Sequence, residues 1–353
     1  MSKRILVAAA AAACCAAALP AGASAATHTA FAGADGASPS PAPQYSPNGF
    51  FRRSLTIHAG DSVRWQFRGF HTVTIPARAQ RAPGLVSVNP AAPVSGINDG
   101  AGTPFWFNGQ PSLNLNLLAA APQGGTTYTG AKLVSSGLPT GPSKPFTVKF
   151  TKPGRFQYVC AVHPGMRGTV NVVSASRSVP SARANAAART SEIAAVSRQG
   201  RRAAAKAAPA ATPTGTTVEV GRAPQGERFT LNAFYPSTAN VKAGQTIAFS
   251  MAGQNTTEAH TVTFGPPAVR SFPPIGPAGF NPQAAYPSDP PNAPLPPYDG
   301  TNHGNGFLNS GLLDNDSNTP QPNASRITFS KAGTYTYACL LHEGMEGTVV
   351  VSP

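Results

Sequence analysis

The chain carries one segment twice. Residues 148–172, VKFTKPGRFQYVCAVHPGMRGTVNV, align without a gap to residues 327–351, ITFSKAGTYTYACLLHEGMEGTVVV, with 12 of 25 positions identical. Upstream, TIHAGDSVRWQF (56–67) matches NVKAGQTIAFSM (240–251), HTVTIP (71–76) matches HTVTFG (260–265), and SSGL (135–138) echoes NSGL (309–312). The order of the blocks is the same in both halves, which means two copies of one folding unit. Alternating apolar runs such as FTVKF and GTVVV predict strands, and KPG and KAG predict turns before strands ending at Tyr158 and Tyr337. The expected fold class is therefore all-β, as two tandem units. Each carries a long Pro/Gly/Asn-rich insertion, at 77–132 and 265–305, between its HTVT strand and its SGL segment; loops of that length are usually functional or disordered.

The first unit is expected over 45–175 and the second over 216–353. Residues 176–215, rich in Ala, Arg and Ser, read as a linker, helical over 182–207 on alanine propensity. As a flexible coil it would reach roughly 35 Å. At the N-terminus, Lys3 and Arg4, an apolar stretch over 5–19 and the small residues Ala23-Ser24-Ala25 read as a secretory signal over 1–25. That places the expected protein outside the cytoplasm, in a periplasm or at the cell exterior. No other segment is long and apolar enough to span a bilayer. The formal charge is +9 over 27–175, +6 over 176–215 and −3 over 216–353. Such a distribution suits acidic protein partners or an anionic cell surface, as well as an ordinary solvated one. Nucleic acid is not among the expected partners.

Beyond the leader only Cys160 and Cys339 remain of four cysteines, one per unit, so neither unit can close a disulfide of its own. An unpaired thiol in an oxidising compartment needs an explanation, and a metal ion that holds and protects it is a good one. Each cysteine opens a C-x-x-H-x-x-M run: Cys160, His163 and Met166, then Cys339, His342 and Met345. A helix would bring residues at this spacing onto one face, but Pro164, Gly165 and Gly168 break it in the first copy. A strand would send neighbours to opposite faces. What remains is a strand ending at the cysteine, a tight turn that folds the donors together, and a new strand from GTV. The HTVT strands add a fourth donor, His71 or His260. A thiolate and two imidazoles in a plane with a weak axial thioether is the ligand set of a blue-copper electron-transfer site. Zinc seldom takes a thioether, iron–sulfur clusters need more cysteines, and no C-x-x-C-H haem motif is present.

On these residues both copies resemble the cupredoxins, the plastocyanin/azurin family of blue copper proteins, with the short C-x-x-H-x-x-M loop most similar to amicyanin. The resemblance implies a Greek-key β-sandwich in each unit and copper as cofactor, two ions in all. It implies His71, Cys160, His163 and Met166 as ligands in the first copy and His260, Cys339, His342 and Met345 in the second. It also implies a loop histidine at the surface, edged by Val162 and Pro164 or by Leu341, where a redox partner protein docks. Family members often have Asn after the first histidine, where it tethers the cysteine loop; Thr72 and Thr261 stand there instead. The expected function is single-electron transfer with no catalysis by the chain itself. Copper storage or delivery, or a surface module, is the alternative. A two-domain copper oxidase or nitrite reductase is disfavoured, since there is no H-x-H pair and the residues before the cysteines are Val159 and Ala338. His58 is read as a surface residue, and His28 and His303 have no counterpart in the other copy.

Overall fold

The computed structural model describes residues 25–35, 44–139, 141–142, 144–163, 165–206, 217–224, 228–253, 258–276, 279–291, 295–315, 319 and 321–353. Residues 1–24 of the leader, and the linker positions 207–216, lie outside the described residues.

The chain is all-β, built from four five-stranded sheets that form two sandwiches. In the first, one sheet runs in the order Phe50–Phe51, Thr27–Ala32, Ser62–Phe67, Phe146–Phe150, Thr127–Tyr128; the other runs Val134–Ser135, Thr74–Ile75, Gly154–Val159, Arg167–Val173, Ser54–His58. In the second, the orders are Gln44–Ser46, Thr230–Tyr235, Thr217–Arg222, Thr246–Ser250, Ala324–Thr328 and Thr238–Lys242, Glu346–Ser352, Gly333–Ala338, Thr263–Phe264, Leu308–Asn309. Strict alternation of apolar and polar residues makes these strands two-faced, so that Val170 and Val172, or Val349 and Val351, point into the sandwich while their neighbours stay partly wet. The two cores share an aromatic plan. Tyr158 meets Phe50 edge-on at 4.6 Å between ring centroids and Trp65 at 5.1 Å, and Tyr337 meets Phe234 and Phe249 at the same two distances.

The strand plan departs from the expected boundaries. Thr27–Ala32, upstream of residue 45, pairs in parallel with Ser62–Phe67 inside the first sandwich. Gln44–Ser46, by contrast, crosses over and pairs with Thr230–Tyr235 of the second. The linker is not a flexible coil over its described part. Alanine propensity gives one helix, Ala182–Lys206, and its Val196 packs with Tyr45, Phe51, Phe229 and Leu231 from both sandwiches. Glu192, the one acidic residue in 176–215, sits 3.0 Å from Arg52 Nη1 of the first half and 3.0 Å from Arg228 Nη1 of the second. The helix thereby braces the two halves together.

The insertions also have structure. They contain the paired strands Val86–Pro93 and Pro111–Leu115 in the first copy, and Ile275–Gly276 with Gly279–Phe280 in the second. They pack on each other through Phe105, Phe107, Val269 and Phe307, and Trp106 Nε1 donates to Pro287 O at 2.8 Å. His303, unassigned from the sequence, lies between two carboxylates from the two insertions, 3.2 Å from Asp99 and 3.4 Å from Asp289. His28 is likewise buried, 3.1 Å from Asp61 of the AGD turn, and His58 lies at the surface with its Nε2 2.7 Å from Arg177 O. Among the described residues no helix is long and apolar enough to cross a membrane.

The His303 cluster gives the contact between insertions a pH signature. Hydrogen bonding to Asp289 raises the imidazole pKa against the opposing effect of burial. Burial works against the charge of Asp99 and Asp289, but the Thr103 backbone and His303 outweigh it at Asp99, and His303 and the Ser288 hydroxyl outweigh it at Asp289, so both are lowered. The histidine's contribution is complete below its unfolded pKa and disappears as pH rises through the raised folded one; the carboxylates' contributions disappear as pH falls through their lowered ones. His303→Ala should therefore lower Tm most near pH 6 and progressively less towards pH 9, the values bracketing an ordinary imidazole pKa of about 6.5. Thermal denaturation of both proteins across that range checks this, and a Tm difference that does not vary with pH counts against it.

Candidate metal centre

Cys160 follows the strand Gly154–Val159, and Arg167–Val173 begins after Met166, with Val159 paired to Arg167. The connecting turn is closed by its own backbone: Cys160 N–H donates to Met166 O at 3.0 Å and Met166 N–H to His163 O at 2.8 Å. The second turn repeats this, with Cys339 N–H to Met345 O at 2.9 Å and Met345 N–H to His342 O at 3.0 Å. His71 and His260 arrive from the neighbouring HTVT segments, whose strands Thr74–Ile75 and Thr263–Phe264 pair with the cysteine strands.

The result is two donor triads, His71–Cys160–His163 and His260–Cys339–His342. In the first, Sγ lies 3.4 Å from His163 Nδ1 and 4.0 Å from His71 Nδ1, and the two Nδ1 atoms are 3.1 Å apart. In the second, Sγ lies 3.5 Å from His342 Nδ1 and 3.7 Å from His260 Nδ1. An ion in a trigonal plane, with bonds of about 2.0 Å to nitrogen and about 2.3 Å to sulfur, would space the nitrogens by about 3.5 Å and each nitrogen from sulfur by about 3.8 Å. The first triad fits that requirement to within a few tenths of an ångström, and so do the two sulfur–nitrogen spacings of the second. Met166 and Met345 are buried in the same turns. Six of the eight residues expected as ligands thus gather in two places, and the two methionines lie in the turns that follow the cysteines.

The electrostatics suit a cation. Burial would raise the Cys160 thiol, but His163 and His71 outweigh it and hold it well below the ordinary thiol range. Cys339 is lowered against burial in the same way by His260 and His342. Both shifts favour the thiolate, the form that ligates metal. His71 is lowered by burial, keeping its ring neutral.

Two supporting features were not assigned from the sequence. The threonines in the usual asparagine position do the tethering: Ala161 N–H donates to Thr72 Oγ1 at 2.7 Å and Leu340 N–H to Thr261 Oγ1 at 2.8 Å. Thr72 N–H and Thr261 N–H each donate to their cysteine Sγ at 3.4 Å, which stabilises negative charge on sulfur. The second feature is a pair of glycines, Gly33 and Gly221, at φ +77° and +68°. Their backbones lie so close to the first histidines that a Cβ would sit 2.4 Å from His71 Nε2 or His260 Nε2. They set the back wall of each site, and the common signal, an isolated glycine at a strand end, was present in both copies.

One expectation is overturned. The loop histidines do not form exposed docking points. His163 is buried, and His163 and His342 turn their Nε2 atoms towards the same residue, Glu258: His163 Nε2 is 3.1 Å from Oε1 and His342 Nε2 3.3 Å from Oε2. The sandwiches are held face to face by the helix and by the exchanged strand Gln44–Ser46, so the ends that would otherwise meet solvent meet each other.

No family model and no curated protein matches the chain. Among solved structures, it is similar to a variant of amicyanin in its Cu(I) form, at 18% identity over 41% of this chain and 93% of that one, with a TM-score of 0.20. It is also similar to oxidised plastocyanin from Dryopteris crassirhizoma, at 21% identity over 38% of this chain and 99% of that one, with a TM-score of 0.20. These likenesses are weak, and the chemistry of the site is carried by the chain's own donor geometry.

Adding a methyl at Gly33 or Gly221 should push the first histidine out of place. Gly33→Ala and Gly221→Ala are each expected to destabilise the protein by about 1–3 kcal/mol, the usual cost of overpacking, and to halve its metal content. Urea denaturation with metal analysis tests this; full loading at unchanged stability would refute the close-packed back wall.

Proposed function

We propose that the chain is a two-centre copper protein of cupredoxin type, with one mononuclear copper in each of two tandem sandwich domains, and that it transfers single electrons between redox partners outside the cytoplasm. The observation that carries this reading is the duplicated triad of one cysteine sulfur and two Nδ1 atoms, wholly buried in the first copy and largely so in the second, each closed by a turn ending in methionine. Copper, when bound, supplies a one-electron couple between Cu(II) and Cu(I).

The remaining roles belong to the protein. The thiolates of Cys160 and Cys339 and the Nδ1 atoms of His71, His163, His260 and His342 would hold the ion. The thioethers of Met166 and Met345, buried in the same turns, would add a weak further donor to each. Thr72 and Thr261 fix the sulfur and temper its charge. Two stiff sheets and the tethered turns resist movement of the ligands, which suits a site that must serve both oxidation states with little rearrangement. Burial of the donors favours retention of the ion over hand-off, which speaks for electron transfer rather than copper delivery. The His342 side chain keeps 18% of its exposure against 9% for His163, so the second centre is the better side for exchange with a redox partner. In this reading both thiolates and their neighbouring imidazoles are committed to holding the ion, and we assign the chain no catalytic reaction of its own.

Reconstituted protein should bind two copper ions and turn blue in the Cu(II) state through thiolate-to-copper charge transfer. Cys160→Ser should remove the first site alone and Cys339→Ser the second alone. Metal analysis and optical spectra decide; a colourless Cu(II) form, or loss of both sites from either substitution, would contradict the assignment.

A further inference from the structure

Glu258 has no counterpart in the repeat. It lies two residues before His260, and Gly69 stands at the matching place before His71. A carboxylate that served one centre only would be expected once in each copy. This one is shared: its two oxygens approach Nε2 of His163 and Nε2 of His342 at 3.1 and 3.3 Å. It is also held from the first half by Asn48, whose Nδ2 donates to Glu258 Oε1 and, at 2.9 Å, to Thr230 Oγ1. Among the described residues Oε2 has no hydrogen-bond partner, and it lies 3.3 Å from His342 Nε2. Each loop histidine presents Nδ1 to its own thiolate and Nε2 to the shared carboxylate, so Glu258 favours the Nε2–H tautomer and leaves Nδ1 free to ligate.

We propose that Glu258 joins the two centres into one redox unit, linking His163 to His342 so that an electron taken up by one half passes to the other inside the molecule. This rests on the reading that each triad holds copper. The step oxidises Cu(I) to Cu(II) in one half and reduces Cu(II) to Cu(I) in the other. One electron moves, the Nε2 protons stay in place, and the electron originates from an external one-electron reductant. The route between the centres is short: one imidazole, one carboxylate and one imidazole, with His163 and Glu258 buried and His342 part-covered.

A carboxylate that merely glued the halves together would leave electron exchange untouched, and kinetics separate the two roles. Met345→Leu gives the second centre its own absorption. In that background a sub-stoichiometric pulse of radiolytic reductant should be followed by redistribution between the two absorptions at a rate independent of protein concentration. Glu258→Ala should slow this phase by about tenfold or more, the usual scale for loss of an outer partner of a ligand, with two coppers still bound. Glu258→Gln, which keeps the shape, serves if the alanine variant does not fold, and should also slow the phase. In zinc-loaded protein, ¹⁵N NMR should show both loop imidazoles protonated at Nε2, and Glu258→Gln should shift both signals. Redistribution that scales with protein concentration, or that is indifferent to both substitutions, overturns the bridge. Fewer than two coppers in the unsubstituted protein overturns instead the metal reading on which the bridge rests.

Discussion

A carboxylate pays heavily for leaving water, and Glu258 has left it. Burial alone would neutralise it; the His342 and His163 imidazoles, foremost His342, reverse that and hold its pKa well below the ordinary carboxylate range. Those imidazoles are in turn raised against burial by the thiolates and by Glu258 itself. Two cysteine sulfurs, two imidazoles and one carboxylate thus form a line through the interface, in which each member makes the next one tolerable. Removing one partner of such a buried set leaves uncompensated charge, at a typical cost of about 3–5 kcal/mol. The arrangement of the halves follows from it: the helix Ala182–Lys206, the exchanged strand Gln44–Ser46 and the packed insertions all hold the two turns in the one orientation where Glu258 meets both histidines.

The repeat has been put to asymmetric use. Both copies keep the same triad, the same threonine tether and the same close glycine, because each copy must build its own site. The differences lie where the copies touch. Asn48 comes from one half and Glu258 from the other. His163 is more deeply covered than His342, and the insertions carry unrelated sequences that nonetheless build one small core around Phe105 and Phe307. Duplication followed by divergence at the contact surface is the simplest way to obtain two equivalent sites with one joint between them.

Much of this was legible in the sequence because it depends on local pattern. Period-two alternation marked the strands, the C-x-x-H-x-x-M runs marked the turns, the repeat identified His71 and His260, and an alanine-rich stretch marked the helix to within a residue of its end. The parts that were not legible depend on how distant segments meet. Nothing local says that Thr27–Ala32 joins the first sandwich while Gln44–Ser46 leaves for the second. The exposed loop histidine implied by the resemblance does not hold for His163, because the two units bring these loops against each other. A signal for Glu258 did exist: it is an acid two residues from an expected ligand in one copy and a glycine in the other. It becomes meaningful only once the turns are known to face each other. The single acid in the linker, Glu192, is a similar case, plain in composition and explained only by Arg52 and Arg228.

The central claim is that two separate ions lie on either side of one carboxylate. Anomalous X-ray diffraction at the copper edge from crystals of the copper-loaded protein tests it most directly. The account predicts two peaks, one within the Cys160, His71 and His163 donors and one within the Cys339, His260 and His342 donors, with Glu258 between them and ligating neither. A single peak bound by the Glu258 carboxylate and the Nε2 atoms of His163 and His342, with the thiols left free, would contradict it.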